Sequence, residues 1–204
     1  MKETKMCCSR CYKDMSNHVP AYASSGVCDC GGLIQATPHF KALTIHQPWA
    51  TLVAQGIKTI ETRSWPTKYR GPILIHSSNQ PPNKTKGAAP LLKKYIFNEL
   101  PTGQLLAFTT ILSCVQIEHL NAFLNNHYPY TLPNLTEKEQ ELGFYQPDRF
   151  AWILSQPTPL HNPIPTKGAL SLWHYYPTAN QLNELFPTLS EHNKSTKPIL
   201  QYFK

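Results

Sequence analysis

The sequence predicts a mixed α+β domain, a β-barrel-like body with short peripheral helices, preceded by a small cysteine-bearing ribbon. Three observations carry this expectation. The chain has 19 prolines, which lack a donor N–H and break helical ladders, so short strands, turns and edges are favoured over long helices. Its apolar segments are short and many alternate, without the regular strand-helix-strand repeat of a doubly wound parallel sheet. Five of the six cysteines crowd into residues 7–30, after which the composition changes. With 204 residues, 41% apolar and 15% charged, the chain has enough apolar surface for a core and too little charge for a solvated polyelectrolyte. The expected units are a ribbon over 1–38, a main domain over 39–176, and a helix and tail over 177–204.

In the ribbon, Cys8-Ser-Arg-Cys11 and Cys28-Asp-Cys30 form two close pairs separated by 16 residues, a layout suited to one tetrahedral zinc ion. Gly31 and Gly32 would let backbone donors approach the sulfurs. The expected ligands are Cys8, Cys11, Cys28 and Cys30, and the zinc is expected to be structural, because four protein ligands leave no open position for water. The second pair is C-x-C, Cys7 adjoins Cys8, and His18 stands between the pairs, so the ligand set stays open. Free or redox-active cysteines are the alternative.

The main domain should begin with a strand over 42–46 that puts Leu43 and Ile45 on one face. A short helix follows, with Pro48 in its first turn, an apolar stripe of Trp49, Leu52 and Val53, and Gly56 at its end. Trp49 reads as core from its place on that stripe. A charged strand over 58–65, a turn at Arg70-Gly71 and a strand over 73–77 come next. Residues 90–100 have a helical pattern, and 103–117 are a β-branched run that reads as a central strand. Thr136 and Glu139 make a capping box opening a helix that Gly143 ends. Strands over 149–155 and 171–175, and a last helix signalled by Thr178 and Gln181, complete the order. Trp152 and Trp173 lie in strand patterns and read as packing, and Cys114, in an apolar run, reads as buried.

The charge is concentrated. The chain carries a formal +7, and residues 41–100 hold nine Lys/Arg against two Asp/Glu, a surplus equal to that of the whole chain. A basic segment within a folded domain suits an anionic partner, nucleic acid first and an acidic membrane surface second, with a solubilising surface as the plain alternative. No run of 18 apolar residues occurs, and the first 13 residues are too polar for a secretory signal, so a cytoplasmic protein with no membrane partner is expected. A reducing compartment favours metal ligation or free thiols over disulfides. The glycine-rich nucleotide signatures, the nucleophile elbow and the H-E-x-x-H pattern are all missing from the sequence, which removes the usual anchors of nucleotide hydrolysis, serine hydrolase and metalloprotease chemistry.

The unusual stretch is Lys58-Thr-Ile-Glu-Thr-Arg-Ser-Trp65, three charges where a strand normally hides apolar side chains. Alternation puts Glu61 and Arg63 on one face and Lys58 on the other. An ordinary surface salt bridge is the plain reading of that pattern.

Three segments here, Leu43-Thr-Ile-His-Gln-Pro-Trp-Ala50, Gly56-Ile-Lys-Thr-Ile-Glu-Thr-Arg-Ser-Trp65 and Tyr69-Arg-Gly-Pro-Ile-Leu-Ile-His76, resemble the ASCH family. The likeness resumes in Leu142-Gly-Phe-Tyr145, Arg149-Phe-Ala-Trp-Ile-Leu154 and Lys167-Gly-Ala-Leu-Ser-Leu-Trp173, so it covers about residues 41–176. The resemblance implies a PUA-like β-barrel with a cleft lined from the G-x-K-T-x-E-x-R segment, in a fold whose relatives bind RNA or modified bases. It therefore makes Lys58, Glu61 and Arg63 a candidate ligand site, with Trp65, Arg70, His76 and His46 as further binding candidates. Lysine supplies a compact cation whose pKa falls on burial, arginine a planar fork for phosphate or a base edge, glutamate an acceptor for an exocyclic amine, and tryptophan a stacking face.

Two other functions stand beside RNA or nucleotide binding. Some ASCH-like proteins hydrolyse acylated cytidine nucleosides, and some are reported to cleave RNA. If this chain is an enzyme, Lys58 and Glu61 are its catalytic candidates. In the amidohydrolase-like pattern, however, threonine stands three residues after the lysine, where this chain has Glu61, and a further glutamate comes from downstream. The remaining alternative is an adaptor that docks a protein partner through the zinc ribbon.

Overall fold

The computed structural model describes residues 6–8, 26–27, 33–36, 39–95, 97–127 and 135–185. The chain divides into two compact units, Met1–His39 with Tyr175–Lys204, and Phe40–His174. In the first, β1 (Met6–Cys8), β2 (Gly26–Val27) and β3 (Leu33–Ala36) form an antiparallel sheet with β3 central. Of the expected zinc ligands, Cys8 ends β1 opposite Ile34; Cys11, Cys28 and Cys30, like His18, lie outside the described residues. Among the described residues no group of three or more His, Cys, Asp or Glu side chains is assembled to hold a metal ion. No described helix is long and apolar enough to cross a membrane.

The larger unit is built on β4 (Phe40–Ile45), β5 (Ile60–Arg63), β6 (Gly71–Ser77), β7 (Gln104–Gln116), β8 (Phe150–Leu154), β9 (Thr158–Pro165) and β10 (Leu172–Tyr175). Four α-helices accompany them among the described residues: α1 (Trp49–Ala54), α2 (Ala89–Lys94), α3 (Leu120–His127) and α4 (Glu137–Glu141). The sheet runs β10-β4-β6-β7-β8-β5, with β9 added along β7. β4 and β6 pair parallel, whereas β6 with β7, β7 with β8, β8 with β5 and β7 with β9 pair antiparallel.

The mixed α+β class holds, but the sheet is open and not a closed barrel, since β10 and β5 stand at opposite ends of its order. The reason lies in β7. Its 13 residues serve three partners, β6 over Leu105–Ile111, β9 over Gln104–Phe108 and β8 over Ile111–Gln116. Register shifts at 75–76, 105–107 and 111–113 bend it between those pairings. The longest strand is thus a shared spine, and the four-residue β5 stops at β8.

Alternation in β4 and β6 turns Leu43, Ile45, Ile73 and Ile75 into one core with Ala50 and Val53 of α1, closed by the fully buried Trp152 of β8. Ile60, Ala151 and Ile153 form a second cluster with Leu120 and Leu124 of α3. Leu52, Leu91 and Leu142 form a third, which joins α1, α2 and the end of α4. These clusters fix α1, β5 and the segment after α4, the three pieces that frame the cavity described next. The last helix, α5 (Ala179–Leu185), belongs to the first unit. Thr178 and Gln181, the residues that signalled a last helix, form a capping box, with Thr178 N and Oγ1 donating to Gln181 Oε1 and Gln181 N donating to Thr178 Oγ1.

Candidate functional site

The path to the site starts at the end of α1. Gly56 takes φ +71°, and the amides of Ile57 and Lys58 both donate to the carbonyl of Leu52, at 2.9 and 3.0 Å. A residue with a Cβ is strained at that φ, and one here would lie 2.8 Å from Gln156 Oε1. Lys58 therefore belongs to the helix-ending turn and not to the strand, which begins only at Ile60. Strand alternation does not govern its side chain. Instead of facing away from Glu61, its Nζ lies 3.8 Å from Glu61 Oε2, the opposite of the strand reading.

Glu61 in turn lies 3.0 Å from Arg63 Nε through Oε1, and Arg63 donates to the carbonyl of Thr44 at 2.8 Å. A second carboxylate completes the group. Glu139 Oε1 is 3.8 Å from Lys58 Nζ, and the same side chain accepts from Thr59 N, Thr59 Oγ1, Ile60 N and Tyr145 Oη. The Thr136 hydroxyl accepts from Glu139 N, but the Glu139 side chain reaches β5 and not back to Thr136, so only half of the expected capping box forms.

Lys58 is 1% exposed and donates to the carbonyl of Ile60. Its burial pulls its pKa below the usual lysine value, and Arg63 adds to that, while Glu61 and Glu139 oppose it. Burial and the Arg63 charge likewise lower His46, whose Nδ1 is 2.7 Å from Ser78 Oγ. Tyr145 is pushed up, by burial first and then by the Glu139 carboxylate.

Beside this cluster lies a cavity of about 350 Å³, which Glu139 and Tyr145 do not line. Lys58, Glu61, Arg63, Trp65 and His46 all line it, so five of the seven binding candidates are brought together. Two are not. Arg70 is exposed and folds its guanidinium onto the carbonyls of Thr67 and Tyr69 in its own turn. His76 is 1% exposed; its Nδ1 lies 3.2 Å from Thr44 Oγ1 and its Nε2 3.1 Å from the Thr166 carbonyl, with Trp173 edge-on at 5.7 Å. It is a core histidine, packed so closely that a Cβ on Gly168 would come within 2.5 Å of its ring.

The sequence reading missed four contributors. Trp49, assigned to the core, is half-buried and lines the cavity. Phe144 (51% exposed) and Arg149 line it from the segment after α4, where Arg149 donates to the Thr62 carbonyl at 2.9 Å and stands 6.0 Å from the Phe144 ring. Lys86 joins from the loop before α2. The motif Leu142-Gly-Phe-Tyr145 with Arg149 was the available signal for two of these. The lining holds four cations, Lys58, Arg63, Lys86 and Arg149, against the single carboxylate of Glu61, and three aromatic residues, Trp49, Trp65 and Phe144. Such a concavity can stack a planar ring, hydrogen-bond its edge and attract an anion.

A model of the ASCH domain matches residues 43–163. Activating signal cointegrator 1 of Homo sapiens and that of Mus musculus are each 25% identical over 140 residues, covering 64% of this chain and 21% of theirs. The chain thus matches about a fifth of the length of those relatives. A crystal structure of ASCH from Zymomonas mobilis is 15% identical and aligns over 72% of this chain and 93% of that one, with a TM-score of 0.41.

Proposed function

The chain belongs to the ASCH domain family, and from that premise we propose that it binds nucleic acid, RNA or a modified nucleotide, by receiving one nucleotide unit in the cavity of the larger unit. One observation carries this reading: Lys58, Glu61 and Arg63 converge beside three aromatic residues in a concavity of about 350 Å³ with a surplus of positive charge. That volume falls in the usual range for small-ligand sites. Trp49, Trp65 and Phe144 offer stacking faces, Glu61 an acceptor for an exocyclic amine, and the cations an attraction for phosphate.

The test is titration of the full chain with short single-stranded RNA and with mononucleotides over a range of salt. Affinity is expected to fall steadily as salt rises, and to drop about 10- to 100-fold in Lys58→Ala or Arg63→Ala, each of which removes a charge-assisted hydrogen-bonding group. Salt-independent binding, or binding unchanged in both variants, would sink the reading.

A second reading, hydrolysis of an acylated cytidine nucleoside or of RNA, is favoured by Lys58 alone. It is a buried amine between two carboxylates with its pKa drawn down by burial, and a buried lysine beside carboxylates is a candidate for proton transfer. In that reading Lys58 and Glu61 activate water and Arg63 steadies the developing negative charge. Turnover of N4-acetylcytidine or RNA by stringently purified protein, abolished in Glu61→Gln, is the expected result; no turnover by the wild-type chain refutes it.

A further inference from the structure

The charges of the site are distributed by depth. At the buried end each cation has a carboxylate: Lys58 lies 3.8 Å from both Glu61 and Glu139, and Arg63 3.0 Å from Glu61. Two cations meet two carboxylates there, and the end is neutral overall. At the open end the lining residues include Lys86, Phe144, His46, Ser64 and Gln80, all exposed, and Arg149, half-buried. Neither Lys86 nor Arg149 takes part in an ion pair among the described residues.

Arg149 is also held in an unusual way. One arm donates to the Thr62 carbonyl at 2.9 Å, its Cζ lies over the Phe144 ring 6.0 Å from the centroid, and its buried Nε–H has no hydrogen-bond partner. Anchored at one arm and in no ion pair among the described residues, the guanidinium brings an uncompensated positive charge to the cavity lining. Lys86 reaches the same rim. Its neighbour Gly87, at φ +80°, sits where a Cβ would be 3.7 Å from the Phe144 ring and 3.7 Å from Trp49 Cη2. The backbone next to Lys86 is thus packed beside Phe144 and Trp49.

A neutral, hydrogen-bonding floor suits an uncharged base, whereas an uncompensated pair of cations at the mouth suits a phosphate, singly charged within a strand and up to doubly charged as a monophosphate. We propose that the cavity takes its nucleotide base-first and holds the phosphate at the mouth between Lys86 and Arg149, so that its ligand is a phosphorylated nucleotide, free or as a unit of a single strand, and not a nucleoside. This rests on the nucleotide-binding reading above and adds the ligand class and its orientation.

The experiment is calorimetric titration of the full chain, at low salt, with the four ribonucleosides, their 5′- and 3′-monophosphates, and a five-nucleotide strand of each base. For the base that binds, one of the two monophosphates should bind about 30-fold or more tighter than the nucleoside, as expected for charge-assisted phosphate contacts. In Lys86→Gln/Arg149→Gln that gain should shrink to about 3-fold or less, and the single Lys86→Gln, at an exposed position that leaves the packing intact, should lose about 5-fold of it. Lys93→Gln, exposed and outside the cavity lining, should keep the full gain. A strand that binds more tightly than the monophosphate identifies a strand as the source of the phosphate; equal affinity identifies the free nucleotide. Nucleosides and nucleotides binding equally, or a gain that survives the double variant, overturns the phosphate assignment alone. Binding of none of these probes overturns it together with the nucleotide-binding reading.

Discussion

Glu139 shows how much one side chain organises. It stands on α4, yet its two oxygens accept two backbone amides and a hydroxyl at the start of β5 and a phenol from Tyr145, and it faces the Lys58 amine. A carboxylate can accept all of these; an amide cannot, because its NH₂ would be turned against N–H donors. Glu139→Gln also removes a charge that raises the Lys58 pKa, so the buried amine falls further below 10.5. The expected cost is about 2–4 kcal/mol, the range for leaving buried donors and a buried charge unpartnered. A urea midpoint at pH 7 indistinguishable from wild type would show that the side chain is dispensable. The sequence marked Glu139 only as the third residue of a helix cap, because its true partners lie about 80 positions upstream and local spacing carries no trace of them.

At the scale of elements, the segment between α4 and β8 decides the depth of the cavity. Phe144 N donates to Thr62 Oγ1 at 3.0 Å, docking the segment on β5. Gly143 just before it passes so close that an added Cβ would lie 2.8 Å from Tyr145 Cε2, 3.2 Å from Thr62 Cγ2 and 3.3 Å from Lys58 Nζ. Gly143→Ala is therefore expected to lift the segment and weaken nucleotide binding about 10-fold or more, while costing only about 1–3 kcal/mol of stability as an overpacked site does. Thermal melting and titration of the same variant check both halves, and unaltered affinity would contradict the packing argument. Most of these elements were legible. The strand at 42–46, the helix opened by Pro48 and closed by Gly56, and the long strand from 103 recur as β4, α1 and β7, because side-chain period and Gly/Pro punctuation are local signals. Two were not read. In β9, Pro159, Pro163 and Pro165 disguise a strand that the flank of β7 can accept, since a strand added at an edge can spare donors. In α3, Leu120, Phe123 and Leu124 carry the i, i+3, i+4 signal, but over only eight residues. The open sheet was beyond local pattern altogether, because closure depends on which strands share β7.

For the molecule as a whole, the chemistry argued above is confined to one unit. Every residue that lines the cavity falls between Ile45 and Arg149, and Glu139 behind it lies in the same span, all within Phe40–His174. The three apolar clusters that hold α1, β5 and the post-α4 segment also lie there. A chain trimmed to 39–176 keeps 12 of the 19 Lys/Arg and seven of the 12 Asp/Glu, which leaves it at +5, so the attraction for an anionic ligand persists. With its own core and its own charge it should unfold in one cooperative transition, as compact units of this size do. It should also bind the same mononucleotide within about a factor of 3 of the full chain. Calorimetric melting and titration, side by side on the trimmed and full chains, decide the matter. A trimmed chain that melts cooperatively but has lost its nucleotide would mean that the flanking segments contribute to the site. One that shows no cooperative melt would mean that the larger unit does not stand alone, and that the domain boundary near residue 39 is misplaced.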